Sequence, residues 1–330
     1  MFWCCPNCHA DLEESADLIR CTGCNDEFPI IAGIPDLRVK KPSWIDYETD
    51  RLRALQTEAL VHSHGLEAAI LGVFKVSRQF DDQKAEFRLK QVLSGVDKCE
   101  ASIESWLKPF VEMESPVLEI GCGPGQLMAA AARHNVPVIS VDISVEWLVV
   151  AKHLTQREGR DANLVAGGHA EHLPIKPDSI GSVISLDVIE HVGDQFTYIS
   201  EIERILEPEG VFALTTPNRF SMSPEPHVGV WGVGYLPVFL QDHWVKLVSG
   251  RSYDFTRLLS VFEARKLFKR CRHLEIQIKF PPIPVSELNL FFGVKSRLAR
   301  IYNSMIDWRL VKPLMPFFGA YYRLTGIKKS

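Results

Sequence analysis

The apolar positions of this 330-residue chain change rhythm along its length. Residues 41–112 lack strand-like alternation and read as helical. Within them "DDQKAEFRLKQVLSGVD" starts on acidic caps at Asp81 and Asp82 and carries an apolar stripe of Phe87, Leu89, Val92 and Leu93. It should stop near Gly95. From Pro116 the rhythm becomes strand, turn, helix. "VLEI" reads as a short buried strand, "QLMAAAARH" as a helix, and "VPVISVDIS" as a strand ending at Asp142. "VEWLVVAKHLTQRE" is an amphipathic helix, "NLVAGGHAEHLPI" a strand running into a loop, and "IGSVISLDVIEHV" a fourth strand. "QFTYISEIERILEPEG" reads as a helix with a glycine stop and "VFALTTPN" as a fifth strand. Strict alternation of Leu274, Ile276, Ile278 and Phe280 adds a further strand, expected to be antiparallel. Strands alternating with helices predict an α/β fold, doubly wound around a mostly parallel sheet.

Composition adds a real core and narrows the location. Hydrophobic residues make up 46% and charged residues 24% of the chain, the balance of a folded globular protein. No run of about 18 uninterrupted apolar residues occurs, so no spanning helix is expected. "MFWCCPNC" has neither a basic start nor an apolar run, which argues against a secretory signal and for the cytoplasm. A formal net charge of −4 does not suit indiscriminate coating of nucleic acid. The tail departs from that average. From Lys295 to Ser330 eight basic residues (Lys295, Arg297, Arg300, Arg309, Lys312, Arg323, Lys328, Lys329) stand against one acid, Asp307.

Of eight cysteines, Cys4, Cys5, Cys8, Cys21 and Cys24 crowd into the first 24 residues. In a cytoplasmic chain such crowding points to metal rather than to disulfides. "CPNC" and "CTGC" are two knuckles that each put two thiolates on one tight turn. Cys5, Cys8, Cys21 and Cys24 together suit a closed, structural zinc site. A segment of about 40 residues buries too little apolar surface to fold unaided, and zinc would supply the missing stability. Cys4 and His9 are neighbours that could substitute as ligands. The knuckles and the following "EFPIIAGIPDL" resemble the small zinc-ribbon proteins of the Trm112 family, through Cys5, Cys8, Cys21, Cys24, Pro29, Ile30, Gly33, Ile34 and Pro35. That resemblance implies a module that partners or stabilises a methyltransferase.

In "VLEIGCGPGQL" the glycines fall at Gly121, Gly123 and Gly125, and Gln126 stands where a dinucleotide loop has its third glycine. Asp142 closes the second strand, where a carboxylate accepts hydrogen bonds from both hydroxyls of a ribose. Glu119 would repel a pyrophosphate and suits the positive amino-acid end of a sulfonium cofactor. With "GGHAEHLP" and "LDVIEHV", these residues resemble class I S-adenosylmethionine-dependent methyltransferases of the Methyltransferase-11 type, from about Val117 to Asn218. The resemblance implies a Rossmann-like sheet that binds S-adenosylmethionine. Gly121, Gly123 and Gly125 would wrap the methionine part, Asp142 would hold the ribose, Ala170 and Glu171 would border the adenine, and Asp187 would lie at the sulfonium end. His169 stands where the family usually has Asp against the adenine amino group, and a neutral imidazole can still accept one hydrogen bond.

Methyl transfer requires alignment of a nucleophile and removal of its proton. The [DN]-P-P-[FY] motif of base-amino methylases is absent after the fourth strand, where "SLDVIEH" stands, and "TTPN" is not that motif. Two readings of "DVIEH" are open. In one, Glu190 and His191 form a helix-entry pair, the acid favoured by the helix dipole. In the other, the stretch is similar to the E-x-x-E-H of metal-assisted O-methyltransferases of ubiquinone synthesis and of RNA 3′-ends. Asp187, Glu190 and His191 would then hold a divalent ion that lowers the pKa of a substrate hydroxyl. His191, with Glu190, is the candidate base in either case. The segment after the fifth strand suits a substrate insertion, with His227, Trp231 and Tyr235 as lining or as ordinary packing.

The tail repeats Phe291, Val294, Leu298, Ile301, Met305 and Trp308 at helical spacing, and "PLMPFFGAYYRLTGIKKS" adds exposed-looking aromatics. It suits packing on the domain, peripheral contact with the inner membrane surface, or RNA phosphate. The organisation expected is a zinc ribbon over 1–40, a helical cap over 41–112, a methyltransferase domain over 113–285 with an insertion near 217–260, and a basic amphipathic segment over 286–330. The acceptor expected is a small or lipid-linked molecule methylated at oxygen. RNA methylation and a non-catalytic cofactor-binding subunit are the alternatives.

Overall fold

The computed structural model describes residues 2–39, 42, 44–160, 164–254, 256–283, 288 and 293–330. Phe291, the side chain of Val294, and the expected segment boundaries at 40/41 and 285/286 lie outside the described residues. Contacts divide the chain into two compact units, Met1–Ser185 with Ser200–Phe212 and Lys328–Ser330, and Leu186–Ile199 with Ala213–Ile327.

The first unit opens with β1 (Leu12–Glu14), β2 (Leu18–Cys21), β3 (Glu27–Ile31) and β4 (Ile34–Pro35), an antiparallel meander in that order. Ile19 pairs with Phe28, and both side chains pack with Cys5, Cys21 and Leu37 in a small core. The α-helices α1 (Tyr47–His64), α2 (Leu66–Gly72), α3 (Asp82–Ser102) and α4 (Lys108–Val111) follow, with π-helical turns at Val73–Ser77 and Ile103–Leu107. Asp81 caps α3 by accepting from Lys84 N at 2.8 Å. Two details of α3 correct the expectation. The helix continues through Gly95 to Ser102; a Cβ at Gly95 would lie 1.8 Å from the Gln126 side chain, so this glycine serves a close approach, not a stop. Phe87 is 59% exposed, and the face turned inward carries Ala85, Val92, Gly95 and Val96. On α1, Glu58 bonds His153 Nε2 at 2.7 Å and lies 3.3 Å from His62 Nε2.

The sheet is built from β5 (Val117–Ile120), β6 (Val138–Asp142), β7 (Val165–Gly167), β8 (Ile180–Leu186) and β9 (Leu206–Pro217). Between them run α5 (Gln126–Arg133), α6 (Val145–Arg157) and α7 (Gln195–Ile205). Within the first unit the order is β9-β8-β5-β6-β7, with β5 parallel to both β6 and β8. All four residues of β5 are buried, as a central parallel strand covered on both faces requires. Helix α7 ends at Ile205, earlier than its glycine suggested. Pro208 cannot continue a helix, and the next strand already begins at Leu206.

The second unit holds the end of β9, then α8 (Val238–Ser249), α9 (Val261–Phe268), β10 (Leu274–Lys279), α10 (Gly293–Met305) and β11 (Tyr321–Lys328). Ser260 and Glu263 form a capping box at the start of α9. The strand order here is β10-β11-β9, so the tail supplies an interior strand. Tyr322 and Leu324 are fully buried. The tail's aromatics are expected on the surface; strand pairing takes Tyr322 inside, while Phe317 stays exposed. Helix α10 keeps Leu298 and Ile301 exposed, as is Trp308 beyond it. Among the described residues no helix is long and apolar enough to cross a membrane.

Candidate active site

In the first unit β5 delivers Glu119 and then the glycine turn at its carboxyl end, the edge where open α/β sheets bind ligands. A Cβ on Gly125, whose φ is +77°, would lie 2.5 Å from the Ala151 Cβ, so glycine lets the loop seat on α6. A Cβ on Gly123 would meet nothing within 4 Å; there the left-handed backbone, φ +49°, demands glycine and the face is open. Gly123 N donates to Asp142 Oδ2 at 2.7 Å, and Ser144 N donates to Oδ1 at 2.9 Å. Each oxygen retains acceptor capacity, so the carboxylate is oriented and still able to take hydroxyl donors. Gln126 donates from Nε2 to the carbonyls of Val92 (2.9 Å) and Gln91 (3.2 Å), tying the loop to α3.

His169, Ala170 and Glu171 follow β7. His169 and Glu171 are buried, with Glu171 Oε2 2.8 Å from His169 Nδ1. The N-terminal segment grips this loop: Cys4 N donates to Pro174 O, Lys176 N to Phe2 O, and Leu37 N to Gly167 O. Glu119 is 5% exposed, and burial, reinforced by the Asp142 carboxylate, pushes its carboxyl up to about 8. Burial and the Asp142 carboxylate thus disfavour the negative charge expected of Glu119. Burial also raises Asp142, against the pull of the Ser144 and Gly123 N–H groups.

The sulfur atoms of Cys5, Cys8, Cys21 and Cys24 lie within 4.8 Å of one another, with Cys5–Cys24 at 3.6 Å and Cys8–Cys21 at 3.3 Å. Zinc at about 2.3 Å from each sulfur of a tetrahedron spaces the sulfurs roughly 3.8 Å apart. Gly23 N and Cys24 N both donate to Cys21 Sγ, and a Cβ on Gly23 would lie 2.7 Å from the Ala10 Cβ. This donor set fits one zinc ion. Cys4 and His9 stand outside it.

In the second unit the stretch after β8 forms a second group. Asp187 accepts from Thr215 Oγ1 at 2.8 Å, and Glu190 Oε2 accepts from Thr216 Oγ1 at 3.0 Å. Glu190 is 1% exposed and its Oε1 is buried without a partner. Burial, then repulsion from Asp187, pushes the Glu190 carboxyl up to about 8. The helix-entry reading fails. Helix α7 begins at Gln195 and is capped by Asp194, whose Oδ1 accepts from Phe196 N and Thr197 N. Glu190 and His191 lie in a turn before it.

The triad of donors that converges is Glu190, His191 and His227, within 4.8 Å of one another, rather than Asp187, Glu190 and His191. The His191 and His227 rings meet edge to face at 4.7 Å. The buried Glu225 accepts from His227 Nδ1 at 2.5 Å. Burial lowers the His227 pKa, but Glu225, with Glu190 and Asp187, outweighs it and holds the imidazole above its ordinary value. Trp231 and Tyr235 are exposed, and the Tyr235 hydroxyl donates to the carbonyls of Phe220 and Phe317. Glu225 went unnoticed in the sequence. The "PEPH" stretch, an acid two residues before a histidine, was the available signal.

The family model described as a methyltransferase domain matches residues 118–214. A protein of Mycolicibacterium smegmatis named as a probable S-adenosylmethionine-dependent methyltransferase is 38% identical over 111 residues, 33% of this chain and 40% of that protein. The chain thus spans less than half of that relative. A ubiquinone biosynthesis O-methyltransferase of Bartonella bacilliformis is 25% identical over 196 residues, 59% of this chain and 72% of the relative. The enzyme of that name from Cereibacter sphaeroides is 29% identical over 192 residues, 56% and 73% of the two chains. Among solved structures, Haemonchus contortus phosphoethanolamine N-methyltransferase 2 with S-adenosyl-L-methionine overlaps 79% of this chain and 60% of its own, at TM-score 0.47 and 18% identity. Residues 118–214 thus match a methyltransferase domain, and the relatives similar to this chain are named as methyltransferases.

Proposed function

We propose that this protein moves the methyl group of S-adenosylmethionine to a hydroxyl oxygen of a small or lipid-linked acceptor. The observation that carries the reading is the Glu190–His191–His227 group, in which a buried carboxylate oxygen has no partner beside two imidazoles. His191 takes the hydroxyl proton as the oxygen attacks the methyl carbon. The carbon–sulfur bond breaks, and S-adenosylhomocysteine leaves. Glu225 holds His227 in place and, with Glu190 and Asp187, favours positive charge on that imidazole. The same three side chains fit a divalent ion, which when bound lowers the pKa of a hydroxyl. The two O-methyltransferase relatives support oxygen as the acceptor atom. In the first unit, Gly121, Gly123, Gly125, Asp142, His169, Ala170 and Glu171 are assigned to the cofactor, with Glu119 facing its ammonium group. The test is incubation of purified protein with methyl-labelled cofactor and cell extract, followed by separation of lipid, small molecules, RNA and protein. Label in a lipid or small-molecule ether is expected, and label confined to RNA overturns the reading.

The first 40 residues are proposed as a zinc ribbon with Cys5, Cys8, Cys21 and Cys24 as ligands. Purified protein should hold about one zinc per chain. A stable fold with none, in protein never exposed to chelator, refutes it.

A further inference from the structure

Asp36, Arg38 and Asp50 form a charged cluster with almost no access to solvent, and Asp36 bridges to Gly167 at the end of β7. Arg38 donates from Nε to Asp36 Oδ1 (2.6 Å), from Nη2 to Asp36 Oδ2 (2.7 Å) and from Nη1 to Asp50 Oδ2 (2.7 Å). Arg51 adds a second cation on Asp36 at 2.6 Å. A buried ion cluster is a poor source of stability, because desolvation offsets most of the attraction. What it holds is the short turn between β6 and α6. Arg38 Nη1 also donates to Ile143 O (2.7 Å), Ser144 Oγ donates to Asp50 Oδ1 (2.8 Å), and Val145 N donates to Asp50 Oδ2 (2.8 Å). Asp50 therefore does the work of a cap for α6 from another helix. In the same turn Ser144 N donates to Asp142 Oδ1.

We infer that Arg38 and Asp50 are positioning residues for the Asp142 carboxylate, fixing the turn that presents it to the cofactor's ribose. The inference rests on the assignment of Asp142 to the cofactor. Through the turn, Arg38 and Asp50 fix the Ser144 N–H that orients one oxygen of Asp142. They also act through space, since Asp50 and Arg38 bear on its ionisation in opposite senses. Loss of Arg38 leaves Asp50 as an uncompensated charge beside a carboxylate that must accept hydrogen bonds.

Binding of S-adenosylhomocysteine by calorimetry tests the idea on the full chain, with Arg38→Met, Asp50→Asn, Asp142→Ala and the double variants. Asp50→Asn preserves shape, so it remains informative where Arg38→Met lowers the melting point below the assay temperature. Each of Arg38→Met and Asp50→Asn should weaken binding roughly tenfold, and Arg38→Lys, which cannot reproduce the forked contact, should recover only part. In the Asp142→Ala background the same changes should cost less than about twofold, a coupling that general loosening of the fold would not produce. Two results overturn the inference: folded variants that bind within about twofold of the parent, or losses that simply add to that of Asp142→Ala. If Asp142→Ala itself binds normally, the assignment of the ribose carboxylate falls and takes this inference with it.

Discussion

Asp142 in the first unit and Glu190 in the second are carboxylates handled in opposite ways. Asp142 has a backbone N–H on each oxygen. Glu190 has one hydroxyl on Oε2 and nothing on the buried Oε1. A carboxylate satisfied at both oxygens is held in one orientation and suits neutral donors such as hydroxyls. One left partly unsatisfied in a dry site favours whatever brings positive charge, a proton, an imidazolium or a metal ion. Under the proposed function, the difference separates a place for recognition from a place for proton movement.

The largest effect that would break this contrast is on turnover. Glu190→Gln or His191→Ala should cut methyl transfer by roughly 10²- to 10⁴-fold while leaving S-adenosylhomocysteine affinity within about threefold. A His191→Ala protein with parental turnover removes that residue as the base. Asp142→Asn should do the reverse. Loss of charge-assisted hydrogen bonds should weaken cofactor binding by at least about tenfold in calorimetry, with near-normal rates at saturating cofactor.

A smaller effect sharpens the contrast through pH. Glu119 and Glu190 each have a carboxyl raised from 4.5 to about 8 in the folded chain. Below the ordinary value both folded and unfolded chains hold these protons, and stability is unaffected. Between that value and about 8 the unfolded chain releases them while the folded chain keeps them, so stability falls as pH rises. Urea unfolding across that range should show a shallower decline for Glu119→Gln or Glu190→Gln than for the parent; an unchanged slope in both would contradict the burial argument. The smallest expected change is that of Thr216→Val, which removes the hydroxyl donor on Glu190. It should cost about 1 kcal/mol in thermal unfolding and leave cofactor binding alone.

Much of this was legible in the residues themselves. The glycine spacing, Asp142 at a strand end and the two C-x-x-C knuckles are local patterns, each dictated by a turn or a strand terminus. Local pattern also misled. Gly95 reads as a helix stop because a helix knows its neighbours only at three and four residues, and nothing nearby announces Gln126 packing against it from 31 positions away. The "YYRLTGIK" stretch lacks an obvious place in a strand order until β9 and β10 offer it one, so its aromatics look exposed.

By itself, the order of residues determined the α/β rhythm, the identity of the thiolate set and the carboxylate that ends β6, because hydrophobic period, turn chemistry and ligand spacing act over a few residues. Only the tertiary structure decided that His227 joins Glu190 and His191, and that Asp187 is left out of their group. It alone decided that Arg38 and Asp50 meet at a turn about a hundred residues further on. Such meetings depend on the path of the whole backbone and on which buried charges must find partners, and no window of sequence contains that information.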